Sequence, residues 1–387
     1  MHTGKRPAAW YLFIFLAVIE GRPEWEKINS SLNLIAGQNY YCFITFVSSE
    51  IILVQGVEDL YRSENGGEDW EFIPIEGYYS AEFSVQSITF ADENHGWILH
   101  EDTLYATTDG GNDWKALPLS TGGFRRICFK SALHGVACTE SGFYHTEDGG
   151  ETWKNAVINA TLDGSIVINN LHFSDQTTGY ASSWGPGMDI GTVFISNDGG
   201  KSWDVLRSAY EYNSVWSIDS LHIVAGGINS MHRCGFIEVT FDGGKTWKDT
   251  LVESFVDYVA FADSGNGVAA AGTGMILETH DGGKSWEKSE FFSNTLSKSA
   301  AVSENTIYVL SANGDIYRYK TGSTARAPFR VPEKTVSRRN CQPFTVTGHE
   351  GCIPVTSGWI NLAGRKPRVH PTACGFFLMS GAVDRYK

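Results

Sequence analysis

Six times along this chain an acidic or amide residue is followed by Gly-Gly-x-x-Trp, and that recurrence restricts the fold more than any other feature. The copies are Ser63-Glu-Asn-Gly-Gly-Glu-Asp-Trp70, Thr107-Thr-Asp-Gly-Gly-Asn-Asp-Trp114 and Thr146-Glu-Asp-Gly-Gly-Glu-Thr-Trp153. They continue with Ser196-Asn-Asp-Gly-Gly-Lys-Ser-Trp203, Thr240-Phe-Asp-Gly-Gly-Lys-Thr-Trp247 and Thr279-His-Asp-Gly-Gly-Lys-Ser-Trp286. Tryptophan follows tryptophan at steps of 44, 39, 50, 44 and 39 residues. A period near forty, with four strand-like pieces per unit, is the size of one propeller blade.

Each residue type in the motif has a structural task. The carboxylates of Asp109, Asp148, Asp198, Asp242 and Asp281 can accept hydrogen bonds from N–H groups of their own turn. Asn65 keeps the acceptor oxygen in the first copy and loses the charge. Two glycines permit a positive φ, so the chain can reverse tightly. The Ser or Thr two residues before the Asp offers another local bond. Trp70, Trp114, Trp153, Trp203, Trp247 and Trp286 open the next strand and supply a ring to bury between sheets.

The strands ahead of the turns also repeat. Ile88–Asp92, Gly96–His100 and Leu104–Thr108 precede the second turn; Val259–Asp263, Gly267–Ala270 and Met275–Thr279 precede the sixth. Both read as short alternating strands bounded by turn formers. After Trp286 three more such runs follow with no turn motif behind them, and Trp25-Glu-Lys-Ile28 resembles a post-motif strand with nothing ahead of it. Joined, they complete a seventh unit. The expected fold is therefore all-β: a seven-bladed β-propeller of four-stranded antiparallel blades over residues 24–322, closed by strands from both chain ends. Closure removes exposed sheet edges. Six blades with stray strands is the alternative.

The ends differ from this body. Lys5 and Arg6 followed by an apolar run from Ala8 to Ile19 give residues 1–23 the character of a secretory signal. An extracytoplasmic location, whether secreted, periplasmic or lumenal, is the corresponding expectation; a buried first strand is the alternative. From Arg326 to Lys387 there are 10 basic and 3 acidic residues, +7, within a chain of net charge −14. The preceding part thus carries −21, which argues against nucleic acid as a partner. Segment 323–387 reads as an irregular basic extension. Seven scattered cysteines make no disulfide framework. Cys128 and Cys138 flank one turn, either as a pair in an exported protein or as small buried residues.

The turn motifs resemble the Asp-box, or BNR, repeat. With the Phe-x-Asp and Gly-aromatic segments ahead of each box, residues 24–320 resemble the photosystem II stability/assembly factor family of seven-bladed propellers. The resemblance implies a non-catalytic protein that binds a membrane-protein partner, or its terminal segment, during assembly in the lumen or periplasm. It also implies a basic surface patch, whereas this propeller is acidic, so no binding residue is carried over.

Asp-box propellers include sialidases and xyloglucan hydrolases, so a secreted carbohydrate-active or glycan-binding protein is the competing reading. Glycoside hydrolysis needs one pair of carboxylates. Six equivalent box positions, one per blade, do not supply it. Asp189, Asp219 and Asp257 are isolated acids. Phe329-Arg-Val-Pro332 resembles a sialidase motif but follows the boxes instead of preceding them. His349 with Cys352, and His370 with Cys374, have ligand-like spacing but no recurring context. The sequence thus favours a monomeric binding scaffold without catalytic, cofactor or metal sites.

In a propeller the loops joining the second and third strands of a blade share a face with the links between blades, and binding residues favour such loops. Two of these loops are long: Ser183–Gly191 in the fourth unit and Gly227–Cys234 in the fifth. They place Trp184, Met188, Met231, His232 and Arg233 as partner-binding candidates, of residue types enriched at interfaces. Tyr78, Tyr79, Tyr210 and Tyr212 in the blade links are weaker candidates, for binding or for packing.

Overall fold

The structure, a computed structural model, describes residues 25–320 apart from loop segments 29–40, 57–59, 76–84, 120–121, 161–166, 186–189, 290–296, 304–305 and 312–314 and positions 49, 101 and 273. The signal-like stretch, the basic extension with its His and Cys pairs, Tyr78, Tyr79, Met188 and Asp189 lie outside the described residues.

Seven sheets occupy the described residues between 25 and 320, each with four strands hydrogen-bonded in antiparallel order, and one of them carries a fifth strand. Numbering blades along the chain, with strands a to d in each, blade 2 is Val85–Phe90, Gly96–His100, Thr103–Thr107 and Lys115–Pro118. The first strands of successive blades touch one another around a closed circuit, from Tyr41–Phe46 through to Ser297–Ser303 and back. Strand a is thus innermost and strand d outermost. Blade 7 takes strands a to c from Ser297–Ser303, Thr306–Ser311 and Ile316–Lys320, and its strand d is Trp25–Ile28. Trp25 pairs with Tyr319 and Ile28 with Ile316, so the ring closes with strands from both chain ends.

Each blade interior is built from the repeated residues. Phe90, Phe129, Phe173 and Phe261 end strand a opposite Gly96, Gly135, Gly179 and Gly267 on strand b. The ring lies over its glycine so closely that a Cβ on Gly135 would stand 2.6 Å from the Phe129 ring. Three of these rings also meet their box tryptophan edge-on at 5.9 Å: Phe90 with Trp114, Phe129 with Trp153 and Phe261 with Trp286. The glycine leaves room for the phenylalanine, which in turn seats the tryptophan; apolar burial of this kind is the main stabilising term.

The boxes close the turns between strands c and d. In blade 3 the Thr146 hydroxyl donates to Asp148 Oδ1 at 2.7 Å and accepts the Gly150 N–H at 3.0 Å. Asp148 accepts the Thr152 N–H and hydroxyl at 2.9 and 2.5 Å, and the Trp153 indole donates to the Gly150 carbonyl at 3.1 Å. Gly149 and Gly150 stand at φ of 77° and 99°, where only glycine rests without strain. Ser202, Thr246 and Ser285 repeat the role of Thr152 toward Asp198, Asp242 and Asp281. In the first box Asn65 Oδ1 accepts the Asp69 N–H at 2.9 Å while its amide donates to Asp69 Oδ2 at 3.0 Å. The turn survives the loss of charge by reversing one donor and acceptor.

Blade 4 departs from four strands. Val157–Ile158 pairs in parallel with Ser202 and Trp203 as a fifth, outer strand. Trp203 is fully buried there, stacked on Phe143 at 4.3 Å, while the other box tryptophans are half-buried.

Candidate functional site

The b–c loops and blade links form the face opposite the boxes. In blade 4 the half-buried Trp184 ends strand b, and its indole donates to Asn213 Oδ1 at 2.7 Å. Asn213 lies where strand a of blade 5 skips register between Tyr212 and Ser214. Its amide donates in turn to the Val256 carbonyl of blade 6 at 2.8 Å. One position back around the ring, Asn169 donates to the Tyr212 carbonyl at 2.9 Å and accepts from Arg126 Nε at 3.1 Å through its backbone oxygen. These bonds span blades 3 to 6 and satisfy backbone groups on the innermost edges, which would otherwise lack partners. Asn169 and Asn213 recur 44 residues apart, the same interval as Trp203 and Trp247. That spacing is the sequence signal that marks them.

The blade 5 loop is a tight turn. The His232 and Arg233 N–H groups donate to the Asn229 and Ser230 carbonyls at 3.1 and 3.3 Å. Arg233 adopts φ 51°, the one described non-glycine residue with positive φ. Such a conformation is uncommon outside glycine and directs attention to what the loop presents. Met231, at the tip, is 79% exposed, and Ile190 in the neighbouring blade 4 loop is 59% exposed. His232 and Arg233 are exposed beside them. Two apolar side chains, an aromatic edge and a guanidinium thus stand on adjacent loops.

A buried hydrogen-bonded cluster lies in the strands that carry these loops. Glu238, 2% exposed, accepts from Arg207 Nη2 at 2.8 Å and from the Tyr212 hydroxyl at 2.7 Å. Burial, reinforced by the Glu238 charge, pushes the Tyr212 hydroxyl well above its ordinary pKa. Tyr212 is therefore a core residue, not a surface one. Tyr210 packs on Phe236 at 4.6 Å. Its carbonyl accepts the Gly191 N–H at 2.6 Å, which ties the blade 4 loop to the link between blades. Buried Glu211 accepts the Ser230 hydroxyl and steadies the blade 5 loop.

The other candidate positions have structural surroundings. Asp219 accepts the Leu221 and His222 N–H groups at 2.8 Å each and caps a turn between strands a and b. Asp257 sits at a register skip in strand a of blade 6. A cleft of about 360 Å3 between blades 2 and 3 is lined by Trp97, Trp114, Asp109, Asp113, Asp148 and Glu151, among others. Burial opposes ionisation of Asp148 there, but the Thr152 and Thr146 donors outweigh it and bring the carboxyl down to about 2. Asp109 is lowered in the same way, against burial, by the Asp113 N–H and Thr107 hydroxyl. A glycosidase acid must instead hold its proton near neutrality. Cys128 and Cys138 are both free thiols, pushed by burial up to about 11 and about 12. Of the two readings, the unpaired one is found, with Cys138 buried and Cys128 half-buried.

A family model described as photosynthesis system II assembly factor YCF48 matches residues 21–180. Among solved structures, YCF48 bound to D1 peptide aligns with a TM-score of 0.60 at 20% identity, covering 79% of this chain and 99% of that one. YCF48 from Cyanidioschyzon merolae aligns at 0.58 and 18%, covering 76% and 98%. The GH74 xyloglucanase from Xanthomonas campestris aligns at 0.59 and 11%, covering 76% of this chain and 53% of that one. No curated protein sequence matches the chain. The repeated boxes, the closed seven-bladed ring and the family match together make this an Asp-box propeller that resembles the photosystem II assembly factor YCF48.

Proposed function

We propose that this protein is a non-enzymatic, extracytoplasmic assembly-type scaffold that holds a segment of a membrane-protein partner on the b–c loop face of blades 4 and 5. The observation that carries the reading is the exposure of Met231 and Ile190 on the b–c loops of two neighbouring blades, with the Trp184 indole of the same face held by Asn213. Exposed apolar side chains beside an arginine fit a peptide better than a sugar ring. The relative solved with a D1 peptide supports a peptide as the kind of ligand. The signal-like first 23 residues support export.

The experiment is fluorescence polarisation of a labelled D1 peptide titrated with the propeller. Saturable binding that weakens about tenfold or more in Trp184→Ala and Met231→Ala is expected, since central apolar anchors contribute about 1–2 kcal/mol or more. Equal affinity for all three proteins removes this face from the proposal.

A further inference from the structure

The box face is divided by charge. The boxes of blades 1 to 3, between Ser63 and Trp70, Thr107 and Trp114, and Thr146 and Trp153, hold eight carboxylates and no Lys or Arg. The boxes of blades 4 to 6 hold three carboxylates offset by Lys201, Lys245 and Lys284. In the acidic half Glu147 pairs with Lys154 and Lys201, and Glu64 with Arg62. Among the described residues no ion pair engages Glu68, Asp69, Asp113 or Glu151. The cleft between Trp97 and Trp114 opens within this half, with Ala106, Leu117 and Ala132 on its walls and Lys115 the one lysine among its four carboxylates.

The chain itself has a basic segment after its last described residue, which lies on the same face. Strand c of blade 7 ends at Lys320, paired with Thr306, where every other blade begins its box. Strand c of blade 7 thus ends at the box-face end of its blade, and blade 7 is the neighbour of blade 1 across the ring closure. Fourteen residues on is Lys334, followed by Arg338 and Arg339. An extended stretch of that length reaches about 45 Å. The cleft lies two to three blades away, and packed sheets are spaced about 10 Å apart. The segment's +7 faces a propeller at −21, and Phe329 and Val331 supply apolar side chains of a size to enter the cleft.

We propose that the chain's own C-terminal segment docks on the acidic half of the box face. Its basic side chains lie over Glu68, Asp69, Asp113 and Glu151, and its apolar residues cover the blade 2–3 cleft. This leaves the b–c loop face open, so the two surfaces serve different partners.

Zero-length carbodiimide cross-linking of the full chain, in an equal mixture of unlabelled and nitrogen-15-labelled protein, tests the docking. Amide links from Lys334, Lys366 or Lys387 to the blade 1–3 boxes, within one isotope label, are expected. They should fall severalfold at about 0.5 M salt, where screening is strong. A full-length K334E/R338E/R339E variant should show faster hydrogen exchange over 107–114 and 146–153 than the wild type. Links confined to blades 4 to 6 or to the loop face overturn the proposal. So do links joining light to heavy chains, which would mean a second copy, or exchange unchanged by the triple substitution. Peptide binding by the opposite face reads out separately.

Discussion

The Trp184 indole donates to Asn213 at 2.7 Å, so a side chain at the edge of blade 4 is aimed by the innermost strand of blade 5. Because Asn213 also donates to the Val256 carbonyl, one amide fixes the loop face and joins three blades. Asn213→Ala leaves a buried carbonyl without its donor and releases the tryptophan. A loss of about 1–3 kcal/mol follows from stranding such groups. Urea denaturation should show a lower midpoint, and native tryptophan fluorescence should shift to the red. An unchanged midpoint and spectrum would show that the relay positions nothing.

Gly135 is required for space and not for backbone conformation, because the Phe129 ring occupies the position a Cβ would take. Gly135→Ala should therefore cost about 1–3 kcal/mol, as overpacking does. Gly123 is the control: its φ is +79°, but nothing lies within 4 Å of a Cβ there. Thermal melts of both variants separate crowding from backbone strain. Gly135→Ala should melt lower, and double substitution with Phe129→Leu should recover part of the loss.

Box carboxylates also give the fold an acid limit. The Thr246 hydroxyl, then its N–H and the Thr240 hydroxyl, hold Asp242 down to about 2, against an ordinary value of 3.8. Asp148 is held at about 2 as well, its donors outweighing burial. A carboxylate with a depressed folded-state pKa stabilises the protein above its unfolded value. That contribution disappears as pH falls through the folded value. Melting temperature should drop between about pH 4 and pH 2. Asp242→Asn installs the amide that Asn65 already provides in the first box. It should shift the pH 7 melting point little and flatten this acid limb; an unaltered limb would argue against the assignment.

Cys138 is fully buried, and burial raises both it and Cys128 far above neutral pH. The thiolate is the reactive form. At pH 8, iodoacetamide should leave both unmodified in the native protein and label both in denaturant, as mapped by mass spectrometry. Rapid native labelling, or a bond between them under oxidising conditions, contradicts the packing described.

The ring was legible because its determinants are local and repeated. Asp148, Gly149, Gly150 and Trp153 act within one turn, and the Phe129–Gly135 contact joins residues six apart in the chain. Blade 7 could be assembled from Trp25-Glu-Lys-Ile28 and Ile316–Lys320 because each half matched a known part. The loop face was only half legible. Loop length singled out Trp184 and Met231, yet the Asn213 anchor lies 29 residues from Trp184 in another blade, so no local pattern links them. The burial of Tyr212 was hidden for the same reason, since Glu238 lies 26 residues from Tyr212 and 31 from Arg207. The parallel Val157–Ile158 strand has no motif at all; it pairs at the outer edge of blade 4 after a two-residue run too short to read.

In this scheme the recurring aspartates only form turns, and the partner takes the opposite face. Titration of the same D1 peptide against wild type, Asp148→Asn and Arg233→Ala by calorimetry compares those roles directly. Affinity equal to wild type for Asp148→Asn, with about tenfold loss for Arg233→Ala, is the predicted result. Loss of binding in Asp148→Asn with Arg233→Ala unaffected would contradict it.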